Sequence, residues 1–269
     1  MLDDAIRGEF RESLYDESRL SALETRMAHY LSASAVSAKN LAEEKDAIKT
    51  LIGDISHQTK TPIANLLLYA QLLEEQDLPP ESREYASALE HQAEKLRFLI
   101  DALVKTSRLE SGVLAMTPKR HGIQQLLDAA SAQAAPGAEA KAITLTVEPT
   151  DLTARFDPKW TAEALYNLVD NAVKYTPAGG AVTLRAVGYE LFCRVDVTDT
   201  GPGIPESEQA RIFQRFYRSP SASEAEGVGI VLYLARQIAA GQGGYLKVSS
   251  RPGEGSTFSL FLPRAEERT

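Results

Sequence analysis

Cysteine is almost absent: the chain has one, Cys193, in "ELFCRVDV". A lone thiol cannot close a disulfide within the chain, which fits a reducing compartment. Its ordinary reading is a small apolar residue in a strand. Long apolar runs are missing as well. No stretch approaches the ~20 residues of a membrane span, and "MLDDAIRGEF" at the amino terminus has no signal-peptide core. The expectation is a cytoplasmic chain that makes no membrane contact itself. Positive charge is in the minority, with 29 Lys and Arg against 37 Asp and Glu and a formal net charge of −8. That argues against a nucleic-acid partner. What is present is globular in kind: 43% hydrophobic and 25% charged residues over 269 positions, enough for two domains of ordinary size.

The first part reads as helix. Leu20, Leu23, Met27, Tyr30 and Leu31 recur near helical spacing, and "SASAVSA" (32–38) reads as a joint. Leu41, Ile48 and Ile55 then fall seven apart, with Leu51 and Ile52 between them. Pro62 removes a backbone donor and crowds the preceding turn, which predicts a bend just after His57. Ile63, Leu66, Leu67, Tyr69, Ala70 and Leu73 carry the stripe onward. "EQDLPPES" reads as a turn, with Pro80 opening the next helix and Gly112 closing it. In that helix Leu89, Leu96 and Leu103 are again seven apart. A hairpin of two helices buries little alone, whereas two copies forming a four-helix bundle bury both seams. A homodimer is therefore expected; the alternative is a hairpin packed on its own chain.

After Gly112 the texture changes. "VLAM", "AITLTVEP" and "LTARFDP" read as strands, "IQQLLDAASAQA" and "PKWTAEALYNLVDNAVKYTP" as helices. "AVTLRAVGYELFCRVDVTDTG" alternates like a hairpin turning near Gly188. "VGIVLYLARQIAA" is helical, and "GYLKVSSRPGEGSTFSLFLP" gives a final hairpin. Without regular βαβ alternation, the pattern predicts an α/β sandwich with helices on one face of a mixed sheet. The chain as a whole is then α+β.

Several segments offer chemistry, each beside an ordinary alternative. Asn167 and Asn171 are four apart on one helix face, where two amide oxygens suit Mg2+, and Lys174 follows by one turn to neutralise phosphate. Asparagines on helices are more often solvated or cap-like. In "DTGPGIP", Asp199 can accept from an exocyclic amine while Gly201 and Gly203 let backbone approach a flat ring, or the segment is a plain Gly-Pro turn. Gly227 and Gly229 precede a helix whose exposed amides suit phosphate oxygens. "RSPSASEAEG" between the glycine segments reads as a lid or simply a loop, with Arg215 and Arg218 either facing phosphates or merely solvated.

The order of these segments carries more than any one of them. With "DISHQTKTPIANLLLY", "NLVDNAVKY", "DTGPGIP", "IFQRFYR" and "GVG", the chain resembles the sensor histidine kinases of two-component systems over roughly residues 41–263. The five segments match that family's histidine, asparagine, first glycine, phenylalanine and second glycine boxes. The resemblance implies a linker or signal-input helix (1–37), a dimerisation and phosphotransfer hairpin (38–112), a connector (113–118), a gyrase-type ATP-binding domain (119–263) and a charged tail (264–269). It implies His57 as acceptor of the γ-phosphoryl group of ATP, Mg2+ near Asn167 and Asn171, phosphates held by Lys174 and the Gly227 and Gly229 amides, adenine selected by Asp199, and Tyr175 lining the pocket. It further implies transfer to an aspartate of a response-regulator receiver domain docking near His57, with Thr61 orienting a water that dephosphorylates the regulator. Thr61 bonding backbone ahead of Pro62 is the plainer alternative. A membrane-anchored parent sensor is implied too. The other histidines, His29, His91 and His121, read as surface residues.

Two positions depart from the family pattern. The residue after the histidine is usually acidic, and here it is Gln58. An amide oxygen accepts a hydrogen bond but takes no proton. Val231 stands where a third glycine is common, and weakened ATP binding or turnover is expected from it. These departures keep one alternative open beside the kinase, a catalytically weak ATP-binding signalling module acting as phosphatase or conformational switch. A gyrase-type ATPase without phosphohistidine is a third reading, against which the dimerising hairpin around His57 argues.

Overall fold

In a computed structural model of the chain, the described residues are 19–110, 116–219 and 228–264. Two compact units meet in sequence at His57 and Gln58. The first unit is helical from residue 19 as part of α1 (Arg19–Glu74). The joint expected over 32–38 does not form: those residues are helical, as a run of alanine, serine and one valine without glycine or proline permits. Leu41, Ile48, Leu51 and Ile55 of this unit are exposed.

The second unit begins with the rest of α1, in which Pro62 lies inside the helix. Helix α2 (Pro80–Glu110) returns along it. Ile63 and Leu67 meet Ala93 in a small buried cluster, with Ile100 packed against it. Lys60 pairs with Asp101 at 3.1 Å, and Gln71 donates to Glu90 at 3.2 Å. Beside this cluster runs a stripe that the described residues leave exposed: Leu66, Leu73, Leu89, Leu96 and Leu103. Gly112, expected to close α2, lies outside the described residues, as do 113–115 of "VLAM". A strand does form slightly later, β1 (Lys119–Gly122), and it exists by pairing antiparallel with β3 (Thr153–Phe156).

The remaining elements are α3 (Ile123–Ala140), β2 (Thr144–Val147), α4 (Pro158–Tyr175), β4 (Ala181–Gly188), β5 (Phe192–Asp199), α5 (Glu206–Gln209), a 3-10 turn (Arg211–Phe213), α6 (Val231–Ala240), β6 (Tyr245–Arg251) and β7 (Gly255–Pro263). The larger sheet runs β2-β4-β5-β7-β6, with β2 parallel to β4 and the other pairs antiparallel. Alternation along β5 sends Cys193, Val195 and Val197 into the core. There they join Leu127 of α3, Leu165, Leu168 and Val169 of α4, and Ile238 of α6. Each such side chain stabilises the fold by about 1.5–3 kcal/mol relative to exposure. The sandwich expected from the sequence is therefore present.

Helix ends set the position of the site. Asp157 caps α4, accepting from the Lys159, Trp160 and Thr117 amides, while Pro158 fills the first turn. Burial alone raises the Asp157 pKa; the hydrogen bonds from Thr117, Trp160 and Lys159 outweigh it and hold the carboxyl below its usual value. Helix α3 runs past the expected end at Ala134, through Pro136, because Ala138 continues its buried face. His121, expected at the surface, is half-buried, its ring 5.3 Å from that of Phe156. The β1–β3 pairing brings it there. His29 and His91 are exposed.

Candidate active site

Strand β5 ends at Asp199, and the chain turns at once. Asp199 Oδ1 accepts the Gly201 amide at 2.8 Å and the Ser256 amide of β7 at 3.3 Å. Asp199 is only 6% exposed, and Oδ2 makes no hydrogen bond among the described residues. Burial pushes this carboxyl above its usual pKa, and the Gly201 and Ser256 amides oppose the rise. The result is a fixed acceptor with one oxygen clamped and one available.

Glycine is required around it by close packing. A Cβ at Gly201 would stand 2.7 Å from Asp199 Oδ1 and 3.3 Å from the Tyr175 carbonyl oxygen. Gly255, at φ +90°, lies so close to Asp199 that a Cβ would come within 2.0 Å of its carbonyl oxygen. Gly203 turns against the Arg251 and Pro252 backbone instead. The end of α4 thus rests on the Asp199–Gly201 turn.

Helix α4 supplies the other groups. Asn167, Asn171, Lys174 and Tyr175 are all half-buried. The amides of Asn167 and Asn171 make no side-chain hydrogen bond among the described residues. Two partly buried amide oxygens without a protein donor fit a hard cation or a polar ligand. Lys174 Nζ lies 5.7 Å from the Tyr175 ring. Burial raises the Tyr175 pKa, and the nearby Arg218 charge opposes the rise. Tyr175 thus links two sets of groups: its ring lies near Lys174 and Arg218, and its backbone carbonyl meets the Asp199–Gly201 turn.

The other expected residues are distributed around this group. Arg215 lies over the Tyr233 ring of α6 and donates to its hydroxyl at 3.2 Å. Gly229, at φ +71°, packs so tightly that a Cβ would stand 2.4 Å from the Tyr217 carbonyl oxygen. Gly227 lies outside the described residues. Val231 is the first residue of α6 and half-buried; its φ is not positive, so the backbone there does not demand glycine. His57 lies on α1, its side chain outside the described residues, with Gln58 exposed and Thr61 exposed on the same helix.

Sequence reasoning missed Ser256 and Gly255, which were read only as strand. It also missed Lys141, whose Nζ donates to the Val173, Lys174 and Thr176 carbonyls. No short pattern announces these; they reach the site through the β5–β7 register and the end of α3.

Comparison with known proteins gives a consistent result. The His Kinase A (phospho-acceptor) domain matches residues 47–112, and the histidine kinase-, DNA gyrase B- and HSP90-like ATPases match residues 156–266. The sensor protein DivL of Caulobacter vibrioides is 33% identical over 230 residues, covering 84% of this chain and 29% of DivL. The sensor-like histidine kinase SenX3 of Mycobacterium tuberculosis is 30% identical over 226 residues, covering 82% of this chain and 55% of SenX3. Full-length ShkA, solved in complex with AMPPNP, superposes with a TM-score of 0.69 at 28% identity, covering 82% of this chain and 47% of that one. The chain thus spans under a third of DivL and about half of SenX3 and ShkA.

Proposed function

This chain carries the two-domain catalytic core of a two-component histidine kinase, and from that premise we propose that it autophosphorylates on His57 with ATP and passes the phosphoryl group to an aspartate of a response-regulator receiver domain. The observation that supports the ATP site is Asp199, a buried carboxylate with one oxygen clamped by two backbone amides and the other free to accept the adenine amine. Gly201 and Gly203 allow the ring to approach, and Tyr175 flanks it. Lys174, Arg215, Arg218 and the Gly229 amide would hold the phosphates, and the sequence adds the Gly227 amide to that set.

The transfer needs positioning more than covalent help from the protein. A neutral imidazole nitrogen of His57 attacks the γ-phosphorus; an N–P bond forms, and the bond from the γ-phosphorus to the bridging oxygen breaks. ADP leaves with that electron pair, and the imidazole proton passes to water. Gln58 orients the ring by accepting its other N–H, since an amide cannot act as the base. Asn167 and Asn171 would hold Mg2+, which when bound neutralises phosphate charge. Thr61, one turn past His57, orients a water for dephosphorylation of the regulator.

The exposed stripe of Leu66, Leu73, Leu89, Leu96 and Leu103 supports dimerisation through the hairpin, because a second copy supplies the cover these side chains lack. A longer parent anchored in a membrane belongs to the same proposal; in the described residues no helix is long and apolar enough to cross one.

Incubation with γ-labelled ATP tests this reading. Acid-labile label on the chain, absent in His57→Gln, is the expected result. Nucleotide binding without label instead favours the second reading, a weak kinase acting as a regulator phosphatase or conformational switch, for which Gln58 is the specific motive. Free phosphate alone means a simple ATPase.

A further inference from the structure

The chain leaves α3 through a tight turn. The Ala142 amide donates to the Glu139 carbonyl at 3.0 Å and the Ile143 amide to the Ala138 carbonyl at 2.8 Å. These two bonds, with Ala142 at φ +52°, form a Schellman motif. Lys141 is the residue just before that left-handed turn, and the motif fixes its backbone.

Its side chain reaches the far end of α4. Nζ donates to the Val173 carbonyl at 2.9 Å, to Lys174 at 2.7 Å and to Thr176 at 2.7 Å. An ammonium has three N–H donors, and all three are used here on carbonyls at a helix end. The last carbonyls of a helix lack partners of their own and carry the negative end of its dipole, so a cation there is stabilising on both counts. The Lys141 carbonyl also accepts the Gly179 amide at 3.1 Å, holding the loop that follows α4.

This helix end carries part of the site. Its last residues are Lys174 and Tyr175, and the Tyr175 carbonyl rests on the Gly201 turn that clamps Asp199. We infer that Lys141 is a positioning residue for the adenine side of the nucleotide site: its ammonium pins the carboxyl end of α4 onto the Asp199–Gly201 turn. The inference rests on the ATP-binding reading above. Lys141 touches neither the nucleotide nor the reacting atoms; it acts through the backbone of Val173, Lys174 and Thr176.

Titration of the whole chain with AMPPNP and Mg2+, by calorimetry well below the melting temperature, tests it. In Lys141→Met the affinity is expected to fall about tenfold, the scale of losing charge-assisted hydrogen bonds. Lys141→Arg keeps the cation at the helix end and is expected to recover most of that loss. A residue that served only global stability would shift melting without this pattern in affinity. Should Lys141→Met fail to fold, Lys141→Gln, which keeps two donors and no charge, is compared with Lys141→Arg in the same way. Unchanged affinity in the uncharged variants, or an equal loss in Lys141→Arg, overturns the inference. If the unaltered chain binds no AMPPNP, the ATP-site reading itself falls, and the two failures are distinguishable.

Discussion

Gln242 accepts the Asp157 amide at 2.5 Å through Oε1, joining the turn after α6 to the start of α4. The same oxygen lies 3.2 Å from Thr161 Oγ1, and Nε2 donates to the Ile238 carbonyl at 3.1 Å. Both Gln242 and Asp157 are buried. Asp157 caps the helix that carries Asn167, Asn171, Lys174 and Tyr175, so Gln242 braces one end of that helix while Lys141 bonds the other.

Gln242→Ala should therefore destabilise the ATP-binding domain by about 3 kcal/mol, because it leaves a buried amide and hydroxyl without partners. Urea unfolding followed by circular dichroism measures this. A loss under about 1 kcal/mol would mean water replaces the side chain.

Asp199 predicts a pH dependence of nucleotide binding. Its folded pKa is raised by burial, so its protonated form persists to higher pH than in an ordinary aspartate. A protonated oxygen no longer serves as a full acceptor for the adenine amine. Affinity for AMPPNP should thus fall on acidification from above the usual aspartate range, and Asp199→Asn should be weak at every pH with that dependence gone. The stability contribution has the opposite sense: it is present below the unfolded pKa of about 3.9 and lost as pH rises through the folded one. Parallel binding and melting series across mildly acidic pH separate the two.

Ala142 sits in the left-handed region at φ +52°, a conformation that costs an L-residue about 1–2 kcal/mol. Ala142→Gly removes most of that cost and should raise stability by about 1 kcal/mol, seen as a higher midpoint in urea. A lower midpoint would mean that the added freedom of the unfolded chain outweighs the relief.

Gln58 is exposed on α1. If the missing carboxylate limits phosphorylation, Gln58→Glu should raise the rate of label incorporation on His57 by about 10²-fold, the low end for a positioned general base. An unchanged rate would show that water is an adequate acceptor.

Much of this arrangement was legible in the sequence, for identifiable reasons. Helix α4 announced itself through Leu165, Leu168, Val169 and Ala172 on one face and Pro158 at its start. Asp199 and Gly201 stood out because a strand ended on them. Strand β1 was missed because "KRHG" has no apolar alternation and forms only by pairing with Thr153–Phe156. The joint over 32–38 was wrongly expected because a small-residue stretch lacks an apolar stripe, although nothing in it breaks a helix. Lys141 and Ser256 were invisible for a further reason: each acts through backbone groups remote in sequence, which no local pattern encodes.

Cys193 has a practical consequence. The chain's single thiol is 1% exposed between strands, and burial pushes its pKa up to about 11. Alkylating reagents need an accessible thiolate, so the folded molecule should ignore them until β5 opens. A cysteine introduced at any exposed position would then carry a spectroscopic tag alone, and delayed modification of Cys193 would serve as an internal clock for unfolding.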